Sequence, residues 1–356
     1  MKINLSQYGL TSRLKATAEQ APQQVIARVT AQHRELYQLM SATGELYAKV
    51  TGRFTYQTAD VTELPAVGDW VLIDAGTVAP DVAMINQVLP RKSVLARMAV
   101  GNTSQGQLIA ANLDTIFICM SLNADFNVRR VERYLTMAWD SGATPVIVLT
   151  KADLCTDLAA KLAELAEVSM GVDVIPYSAT TEVGETEIRA YLGAGQTVAL
   201  VGSSGVGKST LINRLLGQDR LATKTIRADD DKGRHATTAR QLLLLPTGGM
   251  VIDTPGMREL QLYTGDLAKT FEDITTLAAQ CKFRNCTHTN EPGCAVQAAI
   301  TAGDITSARF NSYQKLQREM AYEGLNSRQM EAQKIKRMFG SKREMKQMVR
   351  QFKKNK

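Results

Sequence analysis

Residues 202–210 read GSSGVGKST, between the apolar run TVALV and the helical pattern LINRLLG. The stretch fits G-x-x-x-x-G-K-[ST], with a strand before it and a helix after it, which is the context this motif requires. It leaves the chain few options. A buried strand must end in a glycine-rich turn whose backbone N–H groups, with the next helix N-terminus, face bound phosphate. Gly202, Ser203, Ser204, Gly205, Val206 and Gly207 then form the cradle. Lys208 reaches the β- and γ-phosphates, the Ser209 hydroxyl ligates Mg2+, and Thr210 stands beside it at the helix start. The motif lies past the middle of a 356-residue chain, so one or more domains precede it.

Three regions separate. Residues 1–112 carry short apolar or alternating runs, QVIARVTAQ, GELYAKVTGRF, VGDWVLID and VAMINQVLP, separated by Gly, Pro and Asp. Such runs predict a small β-barrel. An OB-type barrel that binds single-stranded nucleic acid is one form, and a purely structural barrel is the other. Residues 113–264 alternate strands (TIFICMSL, TPVIVLTKADL, VDVIPYSA, TVALVGSSG, QLLLLPTGGMVIDTPG) with helices (VRRVERYLTMAWDSG, LAAKLAELAEV, GKSTLINRLLG). That alternation predicts an α/β domain with a mostly parallel sheet. Residues 265–356 read as polar and mainly helical.

Further motifs complete a nucleotide site. In VIDTPG, Asp253 ends an apolar strand 45 residues beyond Lys208, where a Mg2+-holding aspartate belongs, and the Gly256 N–H is placed to sense a γ-phosphate. In VLTKADL, the segment TKAD resembles the guanine-selective N-K-x-D motif. Asp153 accepts two hydrogen bonds from the guanine N1–H and exocyclic amine, donors that adenine lacks, and a buried site built on such bonds discriminates strongly. Lys151 packs its stem over the base. The usual Asn is Thr150, whose hydroxyl cannot reproduce an amide. In YSA, Ser178 and Ala179 fit a short loop offering a backbone N–H to the guanine oxygen. Asp153 argues against an ATPase or kinase.

The base-reading motifs therefore precede the phosphate cradle, the reverse of an ordinary small GTPase. The same site forms from a circularly permuted chain, because domain termini often lie close together. At this point the chain resembles the circularly permuted GTPases that act in maturation of the small ribosomal subunit, the RsgA or YjeQ family. The residues carrying the resemblance are TKAD, YSA, GSSGVGKST, GRHATT and DTPG, followed by a Cys/His cluster. The resemblance extends over the whole chain and implies a barrel, a permuted GTPase domain and a zinc-bearing helical domain. It implies GTP/GDP, the small ribosomal subunit and its 16S-type rRNA as partners.

Between cradle and DTPG, RADDDKGRHATTAR is polar, charged and glycine-containing, as a surface loop is. The resemblance makes it the first switch, with Ala236 where the family has Thr. Thr237 or Thr238 then ligates Mg2+, and Thr237 is preferred. Ras-like enzymes orient the attacking water with a Gln just after D-x-x-G. Met257 stands there and cannot do so, which leaves another residue or a partner. His235 in the switch is the candidate, and the resemblance implies the same.

Cys281, Cys286, His288 and Cys294 lie at spacings of 5, 2 and 6. Three thiolates and an imidazole form a closed tetrahedral set for one structural Zn2+. The remaining cysteines read as core (Cys119) and structural (Cys155). Neighbouring Lys282 and Arg284 either meet RNA phosphate or stay solvated. Of the net charge of +7, residues 331–356 carry ten Lys or Arg against two Glu, +8, so the rest sums to −1. Ile335, Met338 and Phe339 give this tail an amphipathic helical pattern, suited to an anionic partner. With no signal-peptide or membrane pattern, the chain reads as a cytosolic monomer. Its expected activity is GTP hydrolysis coupled to docking on the small subunit and release from it. The alternative is an rRNA-binding chaperone in which GTP is only a conformational regulator.

Overall fold

The computed structural model describes residues 2–33, 36–58, 61–74, 82–98, 106–221, 240–254, 262, 264–320 and 344. After a short helix α1 (Ser12–Glu19), capped by Thr11, come β1 (Gln24–His33), β2 (Leu36–Ser41), β3 (Gly44–Val50), β4 (Trp70–Asp74) and β5 (Ala83–Val88). Their order is β1-β2-β3-β5-β4, and β4 pairs back onto β1, closing a five-stranded barrel. The β3–β5 pair is parallel and the others antiparallel, the OB-type arrangement. Ala27, Val29, Leu39, Ala48, Val71 and Ile85 fill its interior.

The run GELYAKVTGRF is not a single strand. It ends at Val50, and Thr51 caps a helix, α2 (Gly52–Gln57), its Oγ1 accepting from the Phe54 N–H at 3.2 Å. A threonine cap supplies the acceptor that an open helix start lacks, and that overrides the strand propensity around it. A hairpin follows, β6 (Val94–Met98) with β7 (Gly106–Ala111).

The α/β part contains β8 (Thr115–Ser121), α3 (Val128–Asp140), β9 (Thr144–Thr150), α4 (Leu158–Ala166), β10 (Asp173–Pro176), α5 (Glu185–Ala190), β11 (Thr197–Val201), α6 (Lys208–Leu216), β12 (Arg240–Leu244) and β13 (Met250–Asp253). Spatial order is β10-β9-β8-β11-β13-β12, parallel except for antiparallel β12. Helices cover both faces, so β8 and β11 are buried along their whole length. Cys119 lies in β8 and is fully buried. Cys155 is half-buried, 3.3 Å from Asp157 Oδ1.

Barrel and α/β sheet are joined laterally. Barrel strand β1 pairs antiparallel with β12 at Ala31–Gln241 and Gln32–Arg240, giving one eleven-stranded sheet. The middle of β1 is buried on both faces. Its fully buried Arg28 points out of the barrel and donates to the carbonyls of Tyr8 and Gly68 and to Thr197 Oγ1. Trp70 lies under the guanidinium, 5.5 Å from its carbon. Beside it Asp69 is paired with Arg91 at 2.8 Å, and Asn112, at φ 56°, donates to Gly68 O.

The C-terminal helices are α7 (Leu267–Thr270), α8 (Glu272–Ala278), α9 (Ala295–Ala302) and α10 (Ser307–Met320). Buried Arg309 ties them to α3, donating to Glu132 at 2.9 Å, to Asp273 at 2.6 and 2.8 Å and to Thr270 O at 3.1 Å. The basic tail lies outside the described residues except for Glu344. No helix among the described residues is long and apolar enough to cross a membrane.

Candidate nucleotide site and metal centre

Strand β11 delivers the phosphate loop to the carboxyl edge of the sheet, where α/β folds bind ligands. Gly202 sits at φ 149°, and a Cβ there would run into the Cys119 carbonyl oxygen, so the loop leaves the sheet only through glycine. Gly207, at φ 101°, begins α6 in the left-handed region. Ser204 and Gly205 are exposed, whereas Ser203 and Val206 are buried and anchor the turn. Lys208, 7% exposed, folds back over the loop, its Nζ donating to Gly202 O at 2.9 Å and Ser203 O at 2.8 Å. Burial lowers its pKa from the usual lysine value. Ser209 is half-buried in the first turn of α6 and Thr210 is exposed.

Asp253 ends β13, beside Leu200 of β11. It is buried, and among the described residues its Oδ2 oxygen has no hydrogen-bond partner. Burial pushes its pKa up to about 6, opposed by the charge of Lys208. A buried carboxylate oxygen without a donor is costly unless something cationic meets it, so this donor set fits a divalent ion. The next residue, Thr254, donates through Oγ1 to Leu200 O, tying the end of β13 to β11. Gly256, Met257, His235, Ala236, Thr237 and Thr238 lie outside the described residues.

The residues expected to read the base are carried by the end of β9 and the turn after β10. Lys151 adopts φ 60°, ψ 39° and turns the chain, and its Nζ donates to Gly205 O at 3.0 Å. Asp153 is exposed, and the buried Ser178 hydroxyl donates to its Oδ1 at 2.7 Å. That bond holds its carboxyl below the usual carboxylate range, so Asp153 is ionised at neutral pH. Ser178 Oγ also accepts from the Thr180 and Thr181 N–H groups, which folds the loop around half-buried Ala179. Thr150 is buried, and its hydroxyl donates to Val206 O at 2.5 Å. The residues expected from the motifs at 150–179 and 202–210 thus meet at one edge of the sheet. Thr180 and the Ser178–Asp153 bond carried no motif of their own.

The four Cys/His residues converge. Their ligand atoms all lie within 4.8 Å of one another. Cys281 Sγ is 3.8 Å from Cys294 Sγ, and each is 3.5 Å from His288 Nδ1. A tetrahedral ion with metal–sulfur bonds of about 2.3 Å and a metal–nitrogen bond of about 2.05 Å requires edges of about 3.8 and 3.5 Å. The cluster is therefore shaped to hold a metal ion through Nδ1. His288, at φ 57°, is turned by its loop, and the Gln297 side chain donates to its carbonyl at 2.6 Å. Cys294 is the N-cap of α9 and accepts from the Gln297 N–H. Glu291 accepts from the Thr287 hydroxyl and from the backbone N–H groups of Thr287, Thr289 and Asn290, and the bonds from Thr287, the hydroxyl first, and from Thr289 hold its carboxyl well below the usual range. No sequence motif marks this brace.

A phosphate loop, the TKAD and YSA turns and the Asp253 strand end lie on one sheet, with those turns preceding the loop in the chain, which is the arrangement of a circularly permuted P-loop GTPase. The sequence model of the RsgA GTPase matches residues 88–263. A second model, the ABC transporter, matches residues 186–354, a span that includes the phosphate loop P-loop proteins have in common. A curated relative from Lactiplantibacillus plantarum, called small ribosomal subunit biogenesis GTPase RsgA 2, is 61% identical over 352 residues, 99% of each chain. One from Oceanobacillus iheyensis, called small ribosomal subunit biogenesis GTPase RsgA 1, is 45% identical over 301 residues, 84% of this chain and 86% of the relative. The solved structure of YjeQ from Thermotoga maritima superposes with TM-score 0.60 at 27% identity, over 84% of this chain and 99% of that one. The structure of YloQ, described as a circularly permuted GTPase, has TM-score 0.57 at 22% identity, over 84% and 95%, and bears on the fold alone. The chain belongs to the RsgA GTPase family, enzymes that hydrolyse GTP.

Proposed function

We propose that this enzyme is a cytoplasmic, monomeric GTPase that docks on the small ribosomal subunit, assists its late maturation and leaves on hydrolysis. The observation that carries this reading is the turn after β9: Lys151 Nζ reaches Gly205 O of a phosphate loop that comes later in the chain, and Ser178 fixes Asp153 two residues further on. The names of the relatives supply the ribosomal subunit. Three parts serve it: residues 1–112 as an RNA-binding barrel, 113–264 as the GTPase domain and 265–356 as a metal-bearing domain with a basic tail. Tyr47 and Tyr56 on the barrel and Phe283, between exposed Lys282 and Arg284, offer aromatic surface beside positive charge. That combination suits unpaired RNA bases and their phosphates.

In this reading Asp153 accepts from the guanine N1–H and amine while Lys151 covers the ring. Ser178 holds the carboxylate, and Ala179 offers its N–H to the guanine oxygen. The backbone of residues 202–210 wraps the phosphates. Lys208 leaves the carbonyls of Gly202 and Ser203 to meet the β- and γ-oxygens, which exchanges two neutral acceptors for charged ones. Ser209, Thr237 and Asp253 are the residues to hold Mg2+, which when bound neutralises charge on the β- and γ-phosphates. Gly256 senses the γ-phosphate and His235 orients the attacking water, both assigned from their place in the sequence. Cys281, Cys286, His288 and Cys294 hold a structural Zn2+, which leaves no protein position open for chemistry.

The test is GTP turnover with and without purified small subunits, with ATP as control. Turnover is expected to be slow alone and faster with the subunit, because a partner that orders the switch completes the site. Equal turnover in both conditions, or equal use of ATP, overturns the reading. His235→Ala is expected to abolish the stimulated part, and undiminished stimulated turnover removes His235 from the mechanism.

A further inference from the structure

Cys155 takes no part in the nucleotide or metal chemistry, yet two reactive groups touch it. Its Sγ accepts from Lys161 Nζ at 3.6 Å and donates to Asp157 Oδ1 at 3.3 Å, and that Nζ also pairs with Asp157 Oδ1 at 3.1 Å. Thiol, amine and carboxylate therefore close a triangle between the turn after β9 and helix α4. Lys161 is held there by two further contacts, a bond to Leu122 O at 3.1 Å and the Phe126 ring, whose centroid lies 5.8 Å from Nζ. The Cys155 N–H donates to Ala152 O at 3.2 Å and closes the turn that carries Asp153. Of the other cysteines, Cys119 is fully buried and three form the metal set. Cys155 is half-buried beside Asp157, whose side chain is 56% exposed, so a small solute reaches its sulfur.

We propose that Cys155 and Lys161 form a peroxide-modification site, in which oxidation joins Sγ to Nζ through a reversible sulfenamide bond. The thiol proton passes to Asp157 and on to solvent, and the sulfur attacks one oxygen of hydrogen peroxide. An S–O bond forms, the O–O bond breaks, and the second oxygen leaves as hydroxide and takes up a proton to become water. Sulfur loses two electrons and peroxide gains them, which leaves a sulfenic acid. The Lys161 amine, once its ammonium proton has gone to solvent by way of Asp157, attacks that sulfur. The S–N bond forms, the S–O bond breaks, and hydroxide leaves with a proton from the nitrogen as a second water. The protein loses two hydrogens for each peroxide consumed. A thiol reductant reverses the change by attacking Sγ and releasing the amine, and a second thiol then frees Cys155 as a disulfide of the reductant forms. The new bond draws the sulfur toward α4 and pulls on the turn two residues from Asp153. On the reading that Asp153 recognises guanine, the bridge therefore weakens GDP binding.

The experiment treats the full, zinc-loaded chain with hydrogen peroxide and maps its tryptic peptides by mass. The peptide that begins at Ala152 is expected to run past Lys161 uncut and to be two hydrogens lighter, and to return to normal cleavage after a thiol reductant. Lys161→Arg keeps the charge but is a far poorer nucleophile, so Cys155 is expected to stop at a sulfenic acid that a 1,3-dione probe traps. Normal cleavage after Lys161, with Cys155 unmodified or carried on to a sulfinic or sulfonic acid, overturns the proposal, and so does a bridge that retains an oxygen. The GDP dissociation constant of the same preparation is expected to rise about tenfold on oxidation and to recover on reduction. Cys155→Ser, which leaves the metal set intact, is expected to lose this response, and a response that persists in it overturns the link from the bridge to GDP. Failure of the guanine reading looks different: the bridge still forms, and the untreated protein then prefers GDP no more than ADP.

Discussion

Arg28 and Thr197 meet across the seam between barrel and α/β sheet, the guanidinium Nη2 donating to the hydroxyl at 2.9 Å. The residues are 169 positions apart, and Thr197 begins the strand that ends in the phosphate loop. Burial lowers the Arg28 pKa to about 10, opposed by Asp114 and Asp69, so it stays charged at neutral pH. Removing it leaves the Tyr8 carbonyl and the Thr197 hydroxyl without this donor, while Gly68 O keeps its bond from Asn112. Arg28→Ala is expected to cost about 3 kcal/mol, the scale for breaking a buried charged network. Denaturant unfolding followed by Trp fluorescence measures this, and an unmoved midpoint would count against the seam.

The Oδ2 of Asp253, unpartnered among the described residues, implies a trade between stability and activity. Asp253→Asn removes a buried charge and is expected to raise the stability of the Mg2+-free protein at pH 7 while abolishing Mg2+-dependent turnover. The pH dependence follows from the sign of the shift. The folded-state pKa, about 6, exceeds the unfolded value, so the native state holds more protons between about pH 4 and 6. The Asp253 penalty is therefore full above pH 6 and shrinks as pH falls through that window. The advantage of Asn over Asp in unfolding midpoint should close on acidification, and a gap that widens at low pH contradicts this.

Asp153 offers acceptors only, whereas an amide offers one acceptor and one donor. Asp153→Asn is expected to weaken GDP binding by about a hundredfold or more. It is expected to strengthen binding of xanthosine diphosphate, which carries a carbonyl where guanine carries its amine. Competition between the two nucleotides measures the exchange. Retained guanine preference in the variant would assign base reading elsewhere.

One zinc equivalent is expected per chain. Cys286→Ser is expected to lower metal content to near zero and to loosen the loop between α8 and α9, whose ordering is coupled to the metal. GTP turnover without ribosomal subunits is expected to persist, because none of the four ligands reaches the nucleotide site. Metal analysis, protease sensitivity and turnover on one preparation decide it. Full metal content in the variant would mean that Cys286 is not a ligand.

The nucleotide site was legible wherever its logic is local. Lys208 lies one residue past the turn it serves, and TKAD and YSA end consecutive strands, so spacing alone placed them. The Cys/His set was legible because its chemistry is restricted to few residue types. Other features depend on contacts distant in sequence. Arg28 carries no motif, and only the α/β residues Thr197 and Met250 that meet its guanidinium explain its burial. Glu291 looked like a surface acid, although its two oxygens organise the metal loop. Strand β2 carries no clean signal because LYQLMS alternates in burial but not in polarity, with Leu36 and Met40 on the less buried face and Ser41 on the buried one. In the β6–β7 hairpin the apolar run is broken by the paired Arg97 and Gln107. Thr150 was visible as a departure from a pattern, and its bond to Val206 became visible only once β9 and the loop lay side by side.

The lateral joint between β1 and β12 also bears on which partners the sheet can accept. Open edges of sheets recruit strands from other chains. Here Gln241 is flanked by Asp253 on one side and Ala31 on the other, so the edge nearest the nucleotide is already occupied by the chain's own barrel. The opposite edge, β10, has four residues and ends at Pro176, which has no N–H to offer. Strand addition is thereby foreclosed beside the nucleotide. A macromolecule that senses the bound nucleotide must do so through loops and side chains, and the same closure protects an exposed GTPase edge from self-association.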